Sequence, residues 1–315
     1  MTNKQANPIG PTDLADFLKT DSSFAFEMKV RELFATPRCR YWHGGTYDDP
    51  HTGLPRQFDL QVERDYKETF LPIRFAMAIE CKCLSEFAPM LVCRSPRSAY
   101  EAGHQLIATT CGDRQEIMAS MNSLILQERV SIRDSDRTGP FPTICVIDVS
   151  PSRSAYRSTA SGEYVGKSID IVSRDGSGKF KSGDKEVYSR WTQALQSAST
   201  LIPLNVGTFY GDKRPVIHWI RPILVVPDDR LFVVDFDNFG KQLGDPVTVE
   251  STSFFVDYKP PISNIVGPEF KFRHLEIMTY SALKNFVESI VGLSDPAIFD
   301  AYVCQRDCLE QLANR

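Results

Sequence analysis

The clearest pattern in the chain is a short apolar stretch, residues 75–79 (FAMAI), which ends in Glu80, Cys81 and Lys82. Such a stretch predicts a buried strand. Because side chains alternate between the two faces of a strand, Glu80 and Lys82 point to one side, whereas Cys81 continues the apolar side. Charged side chains beside a buried stripe are costly unless a partner or a ligand compensates them. The pattern therefore marks the end of this strand as a candidate site.

A second strand is predicted over residues 56–62 (RQFDLQV), where apolar and polar side chains alternate. Asp59 lies in the middle of its polar side, although aspartate has a low strand propensity. If the two strands are neighbours, Asp59, Glu80 and Lys82 converge at one end of the sheet. We expect this convergence.

Residues 24–34 are predicted to form a helix, because residues 21–23 (DSS) offer N-cap candidates in front of a largely apolar, helix-forming segment. Glu27 lies on or beside the packed face of this helix. The pattern leaves two roles open for Glu27: an ion pair with Arg31, four residues further on, or a contact with a bound metal.

Weaker patterns cover the rest of the chain. A hairpin or loop is expected over residues 38–55, and a mobile loop or hairpin over residues 150–183. Helices are predicted over residues 98–109, 114–130, 184–200, 275–292 and 296–312. Strands are predicted over residues 89–93 (the next core strand), 143–147, 220–226 and 231–235. The turn at residues 227–230 (PDDR) predicts that the last two strands form a β-hairpin.

These elements predict an α/β fold with a mixed central sheet flanked by helices. Residues 1–12 are expected to be a disordered lead, and residues 13–315 a single elaborated domain. In this interpretation the core comprises residues 20–95 and 184–240, residues 97–183 form an insertion, and residues 241–315 form a C-terminal extension. A chain of 315 residues with 42% hydrophobic content is long enough to bury such a core.

The net charge of −4 argues against a uniformly basic nucleic-acid-binding protein, so any such surface must be local. Residues 150–190 carry eight Lys or Arg residues against five acidic residues. Six of these basic residues are candidate nucleic-acid contacts: Arg153, Arg157, Lys167, Arg174, Lys179 and Lys181. The alternative is that these charges only keep an exposed loop hydrated.

The eight cysteines lack the paired C-x-x-C spacing of a structural zinc site, so their pattern indicates reduced thiols. The N-terminus shows no apolar signal segment, and no apolar run reaches the roughly 18 residues of a membrane span. We therefore expect a soluble, cytoplasmic protein that does not contact a membrane.

Asp59 and Glu80 are candidate ligands for a hard divalent cation, which takes one or two protein carboxylates together with water and phosphate oxygens. Lys82 would then orient or deprotonate the attacking water, or offset the charge that develops on a phosphate. We therefore expect Mg²⁺ as the cofactor, with Mn²⁺ as a substitute.

Glu27, Asp59 and the Glu80-Cys81-Lys82 tripeptide resemble, in order, the motif of the PD-(D/E)XK nuclease superfamily. In that family a helix carrying a glutamate precedes an aspartate on a strand and an E-x-K on the next strand. Phe58 stands where the motif has its leading proline. The resemblance extends over roughly residues 20–95 and 184–240.

The resemblance implies a restriction-endonuclease-like core and a Mg²⁺-dependent endonuclease that hydrolyses phosphodiester bonds of nucleic acid, with DNA favoured over RNA. It implies that Asp59, Glu80, Glu27 and the backbone carbonyl of Cys81 bind the metal, and that Lys82 acts on the water. It also implies that Gln193 or Gln196 lines the site. A homodimer is allowed, because a double-strand break needs two sites.

Two alternatives stay open. One is a nuclease-like module that binds nucleic acid or a protein partner without cutting. The other is a scaffold in which Asp59, Glu80 and Lys82 form a structural ion-pair network. Nucleotide binding at residues 162–168 (GEYVGKS) is not favoured, because a phosphate-binding loop needs four residues between its glycines and this segment has three.

Overall fold

The computed structural model describes residues 8–20, 22–49, 52–66, 72–110, 130–133, 143–149, 164–182, 184–202, 216–260 and 269–292. Within these ranges the chain forms five helices and sixteen strands. The helices are α1 (Pro11–Thr20), α2 (Ser23–Glu32), α3 (Ala99–Ala102), α4 (Asp184–Thr200) and α5 (Tyr280–Gly292).

The strands of the first half of the chain are β1 (Arg40–His43), β2 (Thr46–Asp48), β3 (Pro55–Gln57), β4 (Leu60–Tyr66), β5 (Ile73–Cys81), β6 (Met90–Pro96), β7 (His104–Thr110), β8 (Val130–Arg133) and β9 (Thr143–Val149). Those of the second half are β10 (Tyr164–Arg174), β11 (Phe180–Ser182), β12 (Val216–Val226), β13 (Leu231–Phe236), β14 (Gln242–Thr248), β15 (Ser251–Tyr258) and β16 (Phe272–Thr279).

Fourteen strands form one mixed sheet, which confirms the predicted α/β class with a mixed central sheet. Its main path runs β1-β4-β5-β12-β16-β15-β10-β6-β13-β14, and β2 pairs with β3 in a separate two-stranded sheet. Over the first five positions the spatial order follows the order of the chain. Strand β4 is antiparallel to both of its neighbours, whereas β12 is parallel to both β5 and β16.

Helices cover both faces of this part of the sheet. On one face, Val30 of α2 and Leu283 of α5 share an apolar cluster with Met77 and Ile79 of β5. On the opposite face, α4 packs against the small side chains of β5, and the cluster there is formed by residues such as Ala76, Ala78, Leu195 and Ala198. Alanines on both partners bring the helix close to the strand, so α4 is held directly over the polar end of β5.

The sheet curls strongly between β12 and β13. Five residue steps from Val226 to Leu231 can span about 18 Å at most. Strands β12 and β13 are nevertheless five positions apart in the sheet order, which would separate them by roughly 24 Å if the sheet were flat. Because the link is too short for a flat sheet, the strands between them wrap around a core. Its buried residues include Leu224, Leu231 and Phe254.

The strands of the predicted insertion, residues 97–183, are hydrogen-bonded into the same sheet. Strand β7 pairs with the first residues of β12, and β10 lies between β6 and β15. The curled half of the sheet therefore combines strands from the predicted core, insertion and C-terminal extension.

Several predicted elements are confirmed. Helix α2 covers most of residues 24–34, α4 matches residues 184–200, and β9 includes residues 143–147. The β2–β3 hairpin begins within residues 38–55 and extends to Gln57, and β10 pairs with β11 as a hairpin inside residues 150–183. The predicted helices over residues 114–130 and 296–312 fall almost entirely outside the described residues, as do residues 1–7 of the predicted lead. Helix α1 begins within that lead, at Pro11.

The predicted hairpin of residues 220–226 and 231–235 is wrong. Strand β12 pairs with β5, β7 and β16, whereas β13 pairs with β6 and β14. The turn at residues 227–230 is present, but because the sheet curls, β12 and β13 pair with different strands. The strand predicted over residues 89–93 is present as β6, which begins at Met90, and it pairs with β10 and β13 and not with β5.

Two predicted helices are longer than the helices observed. Residues 98–109 form only one helical turn, α3, because Gly103 ends it and β7 follows. The helix predicted over residues 275–292 begins at Tyr280, within its predicted start signal at residues 279–281 (TYS), since Thr279 accepts the Ala282 N–H at 3.2 Å and the preceding residues form β16. It ends at the predicted Gly292.

Candidate active site

Asp59 lies in a bend between β3 and β4, not in the middle of a strand as predicted. The Phe58 N–H donates to the Gly45 carbonyl at 3.0 Å, and the Gly44 N–H donates to the Asp59 carbonyl at 3.1 Å. Between them the chain changes direction, and the Asp59 carboxylate is turned toward β5. Aspartate has a low strand propensity, in keeping with a break in the strand at this residue.

The Asp59 carboxylate meets the end of β5. Its Oδ2 accepts the Cys81 N–H at 2.7 Å. The antiparallel register pairs Leu60 with Ile79, so Asp59 stands one step further along, opposite Glu80. The structure therefore brings Asp59 to the Glu80-Cys81-Lys82 segment, as the two strand patterns predicted.

Glu80 and Lys82 are both buried, with 5% and 7% of their surfaces exposed. The alternation along β5 is as predicted, because Cys81 belongs with Ile79 to the apolar cluster beneath α2, on the opposite face. The backbone of Lys82 is fixed by its N–H, which donates to the Val225 carbonyl at 2.8 Å. A carboxylate and an ammonium are thus held in low-dielectric surroundings, where each interacts strongly with any neighbouring charge.

Glu27 projects from α2, whose start is capped by Ser22 accepting the Ala25 N–H at 3.4 Å. Its Oε2 lies 3.4 Å from Nε2 of His43 on β1, and the His43 ring packs on Phe24 with 5.7 Å between centroids. The structure thus gives Glu27 a histidine partner. Sequence reasoning missed His43, because its partner lies on another element.

The thiol of Cys81 reports the electrostatics of this region. Burial raises the pKa of the thiol well above its ordinary value, and the charges of Asp59, Glu27 and Glu80 raise it further. All three predicted acids therefore act on one point at the end of β5. The thiol stays protonated and unreactive. A role for the Cys81 carbonyl as a metal ligand stays a prediction.

The β2–β3 hairpin adds two residues that the sequence did not single out, Tyr47 and Asp49. Asp49 is buried, and its carboxylate is 3.4 Å from the Arg56 Nε. Burial raises the pKa of the Tyr47 phenol, and the charges of Glu80 and Asp49 add to the effect. The hairpin therefore lies against the Glu80 side of the site. Nothing in its Gly-, Asp- and Pro-rich sequence marks either residue as buried.

Helix α4 forms the wall opposite the sheet. The buried Gln196 donates from Nε2 to Asp49 Oδ1 at 3.3 Å, and Gln193 donates to the Gln57 carbonyl. On the sheet side, Gln61 donates from Nε2 to the Ser197 Oγ at 3.1 Å. Helical spacing could not choose between Gln193 and Gln196, and the structure shows that both hold the β2–β3 hairpin.

The register sets Asp59 opposite Glu80 at one strand end, and Mg²⁺ in proteins takes one or two such carboxylates together with water and phosphate oxygens. Within the described residues, no three or more His, Cys, Asp or Glu side chains are grouped as metal ligands. Glu27 lies beside His43 on the α2 face, whereas Glu80 points to the α4 face. Mg²⁺ binding by Asp59 and Glu80 therefore stays a prediction, and the structure does not place Glu27 on the same face as Glu80.

The predicted nucleic-acid contacts divide into three groups. Lys167 pairs with Glu101 and lies 5.4 Å from the centre of the Phe255 ring. Arg174, Lys179 and Lys181 are exposed on the β10–β11 hairpin. The remaining two, Arg153 and Arg157, lie outside the described residues.

No family model matches the sequence, and no curated protein or solved structure matches it either. In the described part of the chain, no helix combines the length and apolar character that a membrane crossing requires.

Proposed function

We propose that the protein is a metal-dependent endonuclease of the PD-(D/E)XK type that hydrolyses phosphodiester bonds of nucleic acid, with DNA favoured over RNA. The observation that carries the proposal is the contact of Asp59 with the Cys81 N–H at 2.7 Å. It sets one carboxylate opposite Glu80 at the strand end where the buried Lys82 follows. Two acids and a lysine at one point are the side chains that this chemistry needs.

The order and packing of the elements support the proposal. A helix with Glu27, a strand preceded by Asp59, a strand with the E-x-K segment and a later helix with two glutamines follow one another in the chain. All of them surround one end of β5. The five strands that follow chain order, with only β4 reversed, form a mixed sheet flanked by helices, as the resemblance implies.

Asp59 and Glu80 would hold Mg²⁺, or Mn²⁺ as a substitute, and the bound ion would supply charge stabilisation and an acidified water. Lys82 offers its ammonium to the attacking water or to the charge that develops on the phosphate. Glu27 helps through water, and His43 keeps its carboxylate in position. Gln193 and Gln196 fix the β2–β3 hairpin that encloses the site.

The alternative is a nuclease-like module that binds nucleic acid or a protein partner without cutting. The two proposals differ in their need for Lys82, because binding alone uses no ammonium at a buried strand end.

Cleavage of a substrate panel tests the proposal. The panel contains single-stranded, duplex and branched DNA and RNA, each incubated with Mg²⁺, Mn²⁺ or EDTA. We expect metal-dependent cutting by the native protein and its loss in Lys82→Met, whose side chain has a similar length. Because the buried Glu80 then loses a neighbouring cation, cutting is compared at a temperature where both proteins are folded by their melting curves. Lys284→Met is the matched control, because Lys284 is exposed on α5 and its ion pair with the exposed Glu288 is long, at 3.9 Å. Binding without cutting by the native protein would favour the silent module.

A further inference from the structure

The β10–β11 hairpin presents a rigid, exposed tip, here called the basic hairpin (residues 174–182). Its turn is fixed by Asp175, whose Oδ1 accepts the Ser177 N–H at 2.8 Å and the Lys179 N–H at 3.0 Å. Arg174 closes the turn from the other side, because its Nη1 donates to the Gly178 carbonyl at 2.9 Å. The tip is therefore held by side-chain bonds although it projects into solvent.

Phe180 at this tip is 69% exposed. The Arg174 guanidinium carbon lies 4.1 Å from the centre of its ring, within the range of a cation–π contact. The ring is therefore partly covered by the guanidinium and otherwise open to solvent. Because the cation already restrains the ring, stacking another flat group on it loses little side-chain freedom.

The charges around Phe180 complement a phosphate backbone. Arg174, Lys179 and Lys181 are exposed within eight residues, in a chain whose net charge is −4. The carboxylates of two nearby aspartates are hydrogen-bonded within the hairpin. Asp175 accepts in the turn, and Asp170 accepts the Ser182 hydroxyl at 2.5 Å. The tip thus presents cations beside an aromatic ring, the combination that binds single strands.

We infer that the basic hairpin binds a nucleic-acid strand with unpaired bases, with Phe180 stacked on a base and Lys179 and Lys181 on the adjoining phosphates. This inference rests on the proposed function for the identity of the ligand, and it adds the substrate class. A paired base in a duplex covers both of its faces with neighbours, so a protein ring can stack only on a base that is single-stranded, frayed or at an end.

The basic hairpin precedes α4, the helix that forms one wall of the candidate active site. Helix α4 begins at Asp184, and its Gln193 donates to the Gln57 carbonyl of the β2–β3 hairpin. The proposed strand-binding element and the candidate active site are therefore joined through one helix.

The chain contains a matched control hairpin between β13 and β14. Asp237 accepts the Phe239 N–H at 2.8 Å and the Lys241 N–H at 2.9 Å, the same pattern that Asp175 makes. The glycines correspond too, with φ of 82° at Gly178 and 80° at Gly240. Phe239 is 96% exposed, but its turn, residues 237–241 (DNFGK), contains no arginine. An exposed phenylalanine on the same turn is thus present beside a single lysine, Lys241, and without an arginine.

Anisotropy of labelled single-stranded DNA and of a blunt duplex of equal length, measured in EDTA so that nothing is cut, tests the inference. We expect Phe180→Ala to weaken single-strand binding about tenfold or more, and Phe239→Ala to leave it unchanged. The double variant Lys179→Gln/Lys181→Gln should lower the slope of log affinity against log salt by about 1.4. The substituted residues are all exposed, and melting temperatures equal to that of the native protein would confirm that the variants fold.

Equal binding by Phe180→Ala and Phe239→Ala would overturn the inference, as would a native protein that binds no single strand. Unchanged DNA binding with a shift from dimer to monomer in Phe180→Ala would also overturn it and would identify a contact between copies of the chain. Single-strand binding that depends on Phe180, in a protein that never cuts with Mg²⁺, would support the inference while the endonuclease proposal fails.

Discussion

Tyr47 and Tyr41 show how differently two partly enclosed phenols can be satisfied. The Tyr47 hydroxyl is buried and has no hydrogen-bond partner within the described part of the chain. The Tyr41 hydroxyl accepts from Nη2 of Arg31 at 3.3 Å. A buried polar group without a partner costs free energy of folding, whereas a bonded one contributes to it.

Tyr47→Phe should therefore stabilise the protein. Removing the hydroxyl removes a desolvation cost of about 1–3 kcal/mol while the ring keeps its packing. Tyr41→Phe, the control, should lower stability by about 0.5–1.5 kcal/mol because it deletes a hydrogen bond. Thermal unfolding of the two variants beside the native protein measures both. A fall in melting temperature for Tyr47→Phe would mean that the hydroxyl has a partner after all.

The residues of the candidate site divide by how local their patterns are. Glu80 and Lys82 could be predicted, because period-two alternation reveals which face a side chain occupies. Asp59 was predicted at the correct strand end, although it lies in a bend and not within a strand. Their meeting followed from two neighbouring strands. The roles of Tyr47 and His43 could not be predicted, because they arise from contacts with residues that are distant in the chain, such as Glu80 and Glu27.

At the scale of elements, the sequence predicts a helix or strand correctly where the pattern of a single segment determines it. Helix α4 and strand β5 were predicted because each signal lies within one segment, a helix-forming stretch of 17 residues and a continuous apolar run. The pairing of β12 and β13 was not, since a turn between two apolar runs looks the same whether or not the strands pair. Which strands become neighbours depends on the curl of the whole sheet.

Strand β10 depends on a glycine where it passes between β6 and β15. A Cβ on Gly166 would lie 2.8 Å from side-chain atoms of both Phe254 and Val92. Gly166→Ala should therefore destabilise the protein by about 1–3 kcal/mol through overpacking. Gly176→Ala in the adjoining turn is the control, because no atom of the described residues lies within 4 Å of the place that its Cβ would take. Chemical denaturation measures both, and equal midpoints would show that β10 is not tightly enclosed at Gly166.

For the whole molecule, composition indicated a large core but not its shape. The apolar content is sufficient for a sheet of fourteen strands, and the α/β class followed from alternating elements. The joining of residues 97–183 to the same sheet did not follow, because their pairing partners lie far away in the chain. The curl, in turn, comes from the short link between β12 and β13.

Buried neutral histidines should make the protein sensitive to acid. Burial and neighbouring arginines lower the pKa of His104 and of His218 from 6.5 to about 3, and that of His274 falls well below 6.5. Below pH 6.5 the unfolded chain therefore binds protons that the folded chain does not. The stability these groups contribute is present above pH 6.5 and is lost as the pH falls toward 3.

The expected loss between pH 6 and pH 5 is steep, approaching about 1.4 kcal/mol per pH unit for each histidine. The free energy of unfolding from urea titrations at half-unit pH intervals measures it. This window lies above the ordinary glutamate pKa of 4.5, so carboxylates contribute little there. A stability that stays constant from pH 7 to pH 5 would show that these histidines are protonated in the folded state.

The central claim, that Asp59 and Glu80 form an active site and not a structural network, is tested most directly by Asp59→Asn. Asparagine keeps an acceptor for the Cys81 N–H but removes a charge from among clustered acids. Glu288→Gln on the exposed face of α5 is the isosteric control.

We would measure single-turnover cleavage with Mg²⁺ and the melting temperature of both variants on the same preparations. The account predicts that Asp59→Asn loses about two orders of magnitude or more in rate while its melting temperature stays equal or rises, and that Glu288→Gln behaves like the native protein. Cleavage by Asp59→Asn at the native rate would contradict the account, as would an Asp59→Asn protein that fails to fold because Lys82 has lost its compensating charge.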